Sequence, residues 1–201
     1  QNIQKEQHIL WGEHLNKVVL INSDTAFVFG SEVFKTTNGG TSWSTSYSVG
    51  SSNWMGAYFS DSNTGWAVGA SGKIIKTDDG GSSWSTQTSG TSYTLRDVHF
   101  NNNESGWAVG GADLLKTGDG GSSWAITNLN TFQIDGYGLY FVDLKGWMVG
   151  ISGKILHTSM GGASWSSQTS PTSNTLRDVH FLDEQTGWAV GDNGTIINTT
   201  N

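Results

Sequence analysis

The chain is built from short segments in which apolar and polar residues alternate, and glycine- and asparagine-rich turns separate these segments. One stretch of the sequence contains four of them, at Leu95–Phe100, Gly106–Gly110, Asp113–Thr117 and Ser123–Asn128. An alternation of period two, rich in β-branched and aromatic residues and bounded by Gly and Asn, predicts β-strands. Because no stretch shows a helical period, we predict an all-β protein.

This four-strand pattern recurs about every 40 residues. A Gly-Gly-containing turn motif ends in Trp43, Trp84, Trp124 and Trp165, which lie 41, 40 and 41 residues apart. A second motif, Gly-Trp-Ala-Val-Gly or a close variant, occupies residues 65–69, 106–110, 146–150 and 187–191, with a degenerate first copy at 26–30. A repeat of this length, made of four short strands, predicts the blade of a β-propeller.

Five copies of the second motif predict five blades in one domain, residues 1–201. The predicted blades are residues 17–47, 54–88, 94–128, 136–169 and 175–201, the last completed by residues 8–13. Pairing of the segment around Trp11 with Thr195–Thr199 is expected to close the ring, since an open ring leaves unpaired strand edges. The alternative, a fragment of a larger propeller, stays open.

The turn motif has a structural explanation. Its carboxylate or amide, at Asn38, Asp79 and Asp119, is expected to accept hydrogen bonds from backbone N–H groups of the turn, and its glycines permit positive φ. Met160 replaces this acceptor in the fourth copy. The motif tryptophan is expected to pack between blades. We therefore interpret these residues as structural, and we likewise predict that the second-motif tryptophans, Trp66, Trp107, Trp147 and Trp188, are core residues.

The motif resembles the Asp-box of sialidase-type (BNR) repeats. Together with Gly-Trp-Ala-Val-Gly at the preceding interval, it resembles the repeat of photosystem II assembly and stability factors, over nearly the whole chain. The resemblance implies a propeller whose boxes lie away from the usual active-site face. It also implies a protein-interaction or assembly role, although the basic patch of those factors is missing here.

Composition excludes several classes of function. Only 13% of the residues are charged and the net charge is −7, which does not suit a nucleic-acid backbone. No 18-residue apolar run predicts a membrane span, and the absence of cysteine removes disulfides and thiolate chemistry. The histidines show no metal-ligand spacing, so we predict neither metal nor cofactor. A surface rich in Ser, Thr, Asn and Gly, and a first residue other than Met, favour a processed extracytoplasmic protein.

Catalysis is not expected. Sialidases need three arginines for the substrate carboxylate, and this chain has only Arg96 and Arg177. Asp97 and Asp178 are the nearest candidates for a glycosidase pair. Each follows an arginine in a repeated segment, however, and Arg-Asp ion pairs between blades are the simpler interpretation.

The loops that enter each innermost strand, and those that join the second and third strands, vary between repeats. Variable loops on a constant frame are where binding usually resides. The candidate binding residues are Trp54, Tyr93, Arg96, Phe132, Tyr137, Arg177, Asp192 and Asn193. We predict a non-catalytic scaffold that binds a protein partner or a larger complex. The alternatives are a carbohydrate-binding module, with Trp54, Tyr93 and Tyr137 as stacking platforms, and, less favoured, a glycoside hydrolase; ordinary surface variation also accounts for these loops.

Overall fold

A computed structural model describes residues 14–50 and 52–200 and contains five antiparallel sheets. The first sheet contains β1 Leu15–Leu20, β2 Ala26–Gly30, β3 Val33–Thr36 and β4 Ser44–Tyr47. The second contains β5 Trp54–Phe59, β6 Gly65–Gly69, β7 Ile74–Thr77 and β8 Ser85–Gln87. The third contains β9 Asp97–Phe100, β10 Gly106–Gly110, β11 Asp113–Thr117 and β12 Ala125–Asn128. The fourth contains β13 Gly136–Val142, β14 Lys145–Gly150, β15 Ile155–Thr158 and β16 Ser166–Gln168. The fifth contains β17 Leu176–Phe181, β18 Thr186–Gly191 and β19 Thr195–Thr200.

Each sheet is one blade, with its strands in chain order from the centre outwards. The innermost strands β1, β5, β9, β13 and β17 all line one central channel. Loops between blades and loops between second and third strands share one end of the molecule, the loop-rich face. The five-bladed propeller predicted from the repeats is therefore confirmed, and within the described part of the chain the only helical segments are short 3-10 turns.

The Gly-Trp-Ala-Val-Gly strands form the core because their side chains alternate between the two neighbouring blades. Three of their tryptophans stack on a phenylalanine of the next blade. The ring centroids are 3.6 Å apart for Trp66 and Phe100, 3.8 Å for Trp107 and Phe141, and 3.6 Å for Trp147 and Phe181. These three tryptophans are buried, as predicted.

The junction between the fifth and first blades differs from the others. Trp188, at the same repeat position as Trp147, is 44% exposed, and Leu20, at the same position as Phe181, is 75% exposed. The expectation that Trp188 is core therefore fails. The predicted pairing of residues 8–13 with the last strand lies outside the described residues.

The turn motifs are closed by their own side chains. Backbone N–H groups of Ser83 and Ser123 donate to Asp79 and Asp119 over 2.8 and 2.9 Å, and Ser42 donates to Asn38 over 2.9 Å. Hydrogen bonds from the Ser83 and Ser123 hydroxyl groups are the main reason that the pKa values of Asp79 and Asp119 fall to about 2. These carboxylates are thus engaged within the turn.

Candidate functional site: the mouth of the central channel

The mouth of the channel lies on the loop-rich face, where one residue stands at or just before the start of each innermost strand. A one-residue register shift places Asn16, Met55, Tyr137 and Arg177 at bulges, and Arg96 holds the corresponding position just before β9. We call these five residues the mouth ring. A β-bulge interrupts the alternation of side chains and changes the direction of one of them. Residues of the mouth ring therefore do not follow the alternation of inward and outward side chains seen in the rest of the strand.

Three members of the mouth ring form a stack. The Cζ atom of Arg96 lies 4.2 Å from the centroid of the Tyr137 ring, and that of Arg177 lies 4.4 Å from the same centroid. A guanidinium plane over an aromatic face is a favourable cation–π arrangement. The stack joins the third, fourth and fifth blades although its members are about 40 residues apart in the sequence.

Both arginines of the stack also have carboxylate partners. Arg96 of the third blade forms an ion pair with Asp135 of the neighbouring fourth blade. Arg177 forms a bidentate ion pair with Asp192 of its own blade, with N–O distances of 2.8 and 2.9 Å. The hydrogen bonds with Asp192 raise the pKa of Arg177, and Arg177 in turn lowers the pKa of Asp192. The cluster is charge-balanced, so it does not act as a bare cationic patch.

The sequence prediction of Arg-Asp pairs therefore needs a correction. Asp97 and Asp178, which follow the two arginines, are not their partners. Asp97 accepts hydrogen bonds from the backbone N–H groups of Val98 and Leu139, and Asp178 accepts one from Val179. Consecutive residues at the end of a strand point in different directions, so neighbours in sequence do not share a partner.

The other predicted binding residues divide into two groups. Tyr93 is 50% exposed on the loop before β9, and Asn193 is exposed and donates to the Asn174 side chain over 3.2 Å. Trp54, by contrast, is 1% exposed and belongs to the core, and half-buried Phe132 packs against the core near Leu129. The expectation that Trp54 is a stacking platform is wrong because its side chain is buried, whereas Phe132 keeps part of its surface exposed and stays a prediction.

Repeat alignment explains the Trp54 error. Trp54 pairs with Gly69 as Leu176 pairs with Gly191, so it fills a repeat position that is apolar in other blades. The same alignment would have revealed the mouth ring, including Asn16 and Met55, which sequence reasoning missed. Asp135 was also missed, since nothing in its local sequence marks it as an arginine partner.

Below the mouth, a cavity of 340 Å³ is lined by a belt of alternating tyrosine and histidine rings. The ring centroids of Tyr58 and His99 are 4.8 Å apart, those of His99 and Tyr140 4.6 Å, and those of Tyr140 and His180 4.5 Å. Burial lowers the pKa of His99 to about 4 and raises the pKa of both tyrosines. His99 is therefore neutral at pH 7.

Asp97, Asp178 and Lys17 line the same cavity. Burial is the main cause that raises the pKa of Asp97 to about 6, the charge of Asp178 adds to this rise, and the charge of Lys17 opposes it. Among residues 14–50 and 52–200, no group of three or more His, Cys, Asp or Glu side chains is arranged to hold a metal ion. Nor does any helix in this part of the chain have the length and hydropathy of a membrane span.

These features define the class of the protein: a β-propeller of BNR-type repeats with a polar, aromatic channel mouth. Residues 41–131 and 83–170 each match the sequence profile described as photosynthesis system II assembly factor YCF48. The two matches together span residues 41–170, well over half of the chain, so the protein belongs to the YCF48 family. No curated protein sequence matches it.

Solved structures of similar fold include members of that family. YCF48 from Cyanidioschyzon merolae superposes with a TM-score of 0.76 and 16% identity, covering 98% of this chain and 69% of that one. YCF48 bound to a D1 peptide gives a TM-score of 0.52 and 14% identity, covering 94% of each chain. A GH74 enzyme from Niastella koreensis gives 0.70 and 15%, covering 89% of this chain and 35% of that one. At these identities the likeness concerns the fold.

Proposed function

We propose that this propeller is a non-catalytic binding scaffold that engages a segment of a protein partner at the mouth ring. The observation that carries the proposal is the Arg96–Tyr137–Arg177 stack with its two carboxylates. It presents cationic, anionic and aromatic groups within one small area, which suits the mixed polar surface of a peptide. Membership of an assembly-factor family and the solved YCF48 complex with a D1 peptide support the same role.

Electrostatic balance narrows the class of partner. Each guanidinium already faces a carboxylate, so a polyanion gains little at this site, whereas a peptide that exchanges hydrogen bonds with both signs of charge is well matched. Exposed Tyr93 adds an aromatic anchor on the same face. An extracytoplasmic location is part of this proposal and rests on composition alone.

A carbohydrate ligand is the second candidate, because exposed Tyr93 offers a ring on which a sugar could stack. Hydrolysis is less favoured. Both oxygens of Asp97 accept backbone hydrogen bonds, which gives this carboxylate a structural role. The likeness to a GH74 enzyme concerns the shared propeller fold.

The test compares two surface variants of the full chain. Replacing Tyr93 and Tyr137 with Ser should leave the chain folded, with a small drop in the melting temperature from the lost cation–π contacts of Tyr137. It should weaken capture of a partner from the native source about 30-fold, the scale of a hot-spot loss of about 2 kcal/mol. Leu144→Ser is the matched control, since Leu144 is exposed at the opposite end, where its carbonyl meets the fourth turn motif.

Three results would count against the proposal. Equal capture by the double variant and the wild type would place the site elsewhere. Loss of capture by Leu144→Ser alone would move it to the opposite face. Reproducible binding on a glycan array that disappears in Tyr93→Ala would favour the carbohydrate alternative.

A further inference from the structure

The stack at the channel mouth has an arginine at each end. β13, which carries Tyr137, packs between β9 and β17. The guanidiniums of Arg96 and Arg177 therefore approach the Tyr137 ring from opposite sides, with Cζ atoms 4.2 and 4.4 Å from its centroid. Because both faces of Tyr137 are occupied, a ligand that stacks on this cluster has to add to one of its two ends.

The Arg96 end is held by the fourth blade. Arg96 forms an ion pair with Asp135 and donates a hydrogen bond to the Gly136 carbonyl over 3.3 Å. Its side chain is 22% exposed. Since both partners flank the strand that carries Tyr137, they keep Arg96 against the ring and leave little of it for a partner.

The Arg177 end is more open. Its side chain is 47% exposed, more than twice the value for Arg96. Among residues 14–50 and 52–200, the ring, hydrogen-bond and ion-pair partners of its guanidinium are Tyr137, on one face, and Asp192, along one edge. The second face of this guanidinium has no such partner in the described part of the chain.

The next member of the mouth ring beyond Arg177 is Asn16 of the first blade. The Asn16 amide donates to the Asn53 side chain over 3.0 Å and to the Trp54 carbonyl over 2.9 Å. Asn53 and Trp54 lie at the start of the second blade, so the Asn16 side chain is engaged there. It does not hydrogen-bond to Arg177 across the junction of the fifth and first blades.

Asp192 prepares the open face for stacking. It binds the Nε and Nη2 atoms of Arg177, so it occupies an edge of the guanidinium and leaves the plane free. An anion gains little from a guanidinium that already has a carboxylate partner. An aromatic ring, by contrast, contacts the plane and does not compete with Asp192. Because Asp192 and Tyr137 already fix the side chain, less conformational entropy is lost when a ring binds.

We propose that the open face of Arg177 binds an aromatic side chain of the partner segment, with tyrosine or tryptophan preferred. This assignment rests on the proposed function, since it names the side chain that the mouth ring selects. Each Asp192 oxygen accepts one hydrogen bond from Arg177, and a carboxylate oxygen has a second lone pair. A phenol O–H or an indole N–H at the rim of the stacked ring can donate to it, which phenylalanine cannot do.

The test uses the two arginines as reporters. The chain contains only Arg96 and Arg177, so nitrogen-15 spectra of the full chain contain two arginine Nε–Hε signals, which Arg177→Lys assigns. The probes are the N-acetyl amides of tryptophan, tyrosine, phenylalanine and leucine. A ring stacked on the guanidinium shields Hε, so the Arg177 signal should move upfield with tryptophan and tyrosine, less with phenylalanine, and not with leucine. The Arg96 signal should stay in place.

Arg177→Lys retains the positive charge and removes the plane. It should abolish the difference between aromatic and leucine probes in the amide signals of the mouth. It should also weaken partner capture about fivefold, the scale of an exposed cation–π contact. Leu144→Ser, at the opposite end of the molecule, is the matched control and should change neither measurement.

Equal shifts with all four probes, or movement of the Arg96 signal in place of the Arg177 signal, would overturn the assignment. Capture by Arg177→Lys at the wild-type level, when the Tyr93 and Tyr137 double variant loses capture, would also overturn it but leave the proposed function standing. Undiminished capture by the double variant contradicts the proposed function instead. The probe titration then still decides whether Arg177 binds an aromatic ring.

Discussion

At the scale of single residues, repeat position decides what a side chain does. Residues on the regular part of a strand are fixed by packing, as Trp66 and Trp107 show by their stacks with the next blade. Residues at the bulges are free to differ, and there the chain places Arg96, Tyr137 and Arg177. The charged and aromatic residues of the candidate site therefore lie where the alternation of side chains along the strand is interrupted.

The channel gives a pH prediction at this scale. Burial raises the pKa of Asp97 from 3.8 to about 6 and lowers the pKa of His99 from 6.5 to about 4. The Asp97 contribution to stability is full below pH 3.8 and is lost as the pH rises through 6. The His99 contribution is full above pH 6.5 and is lost as the pH falls through 4. Between pH 4 and 6 the two therefore oppose each other.

We expect the wild-type free energy of unfolding to change little between pH 4 and 6. Asp97→Asn should remove one of the opposing contributions, so that its stability rises with pH by roughly 3 kcal/mol up to pH 6.5. Urea unfolding at half-unit pH steps measures both profiles. Identical slopes in the two proteins would show that these groups do not titrate with folding as described.

At the scale of elements, identical strand motifs have different surroundings. Trp107 in β10 and Trp188 in β18 stand in the same Gly-Trp-Ala-Val-Gly sequence. Trp107 is buried against Phe141, whereas Trp188 is 44% exposed, and Leu20, which holds the repeat position of that phenylalanine in the first blade, is exposed as well. The strand is the same, and the neighbouring blade decides how much of the side chain is removed from water.

This pair makes a matched test of packing. Trp107→Ala should lower the free energy of unfolding by roughly 3–5 kcal/mol through lost burial and a cavity. Trp188→Ala should cost less than half of that, because much of its ring is already solvated. Chemical denaturation of both variants provides the comparison, and equal losses would mean that the fifth and first blades pack like the others.

At the scale of the whole molecule, stability should decline from the middle of the arc of blades towards its ends. The central blades bury both faces, whereas exposed apolar side chains lie on the first and fifth blades at Val18, Leu20, Val190 and Ile196. Regions with fewer buried apolar contacts open at lower free energy.

Amide hydrogen exchange should reveal this decline when two strands of the same sequence, β10 and β18, are compared. We expect the amides of β10 to exchange at least tenfold more slowly than those of β18, since local sequence is matched and only packing differs. Mass spectrometry on peptides covering residues 106–110 and 187–191 would measure the ratio. Equal protection would argue that the molecule opens as one cooperative unit.

The sequence by itself determined the parts of the structure that repeat. A period near 40 residues, two motifs at fixed intervals and turn acceptors such as Asp79 and Asp119 were enough to predict the five blades and the buried role of Trp66 and Trp147. These features depend on local geometry and on contacts that recur from blade to blade. Each repeat in the sequence therefore supports the same prediction independently.

Only the tertiary structure decided which non-repeating residues meet. Arg96, Tyr137 and Arg177 stack because three blades turn around a common axis, which no local pattern records. Sequence proximity suggested Asp97 and Asp178 as partners of the arginines, but strand alternation directs these carboxylates to backbone N–H groups. Trp54 was predicted to be a binding residue and is buried; its alignment with Leu95 and Leu176 in the sequence already marks the position as apolar, and the structure shows that this position belongs to the core. The exposure of Trp188 likewise depends on what the neighbouring blade offers, which is a property of the assembled ring.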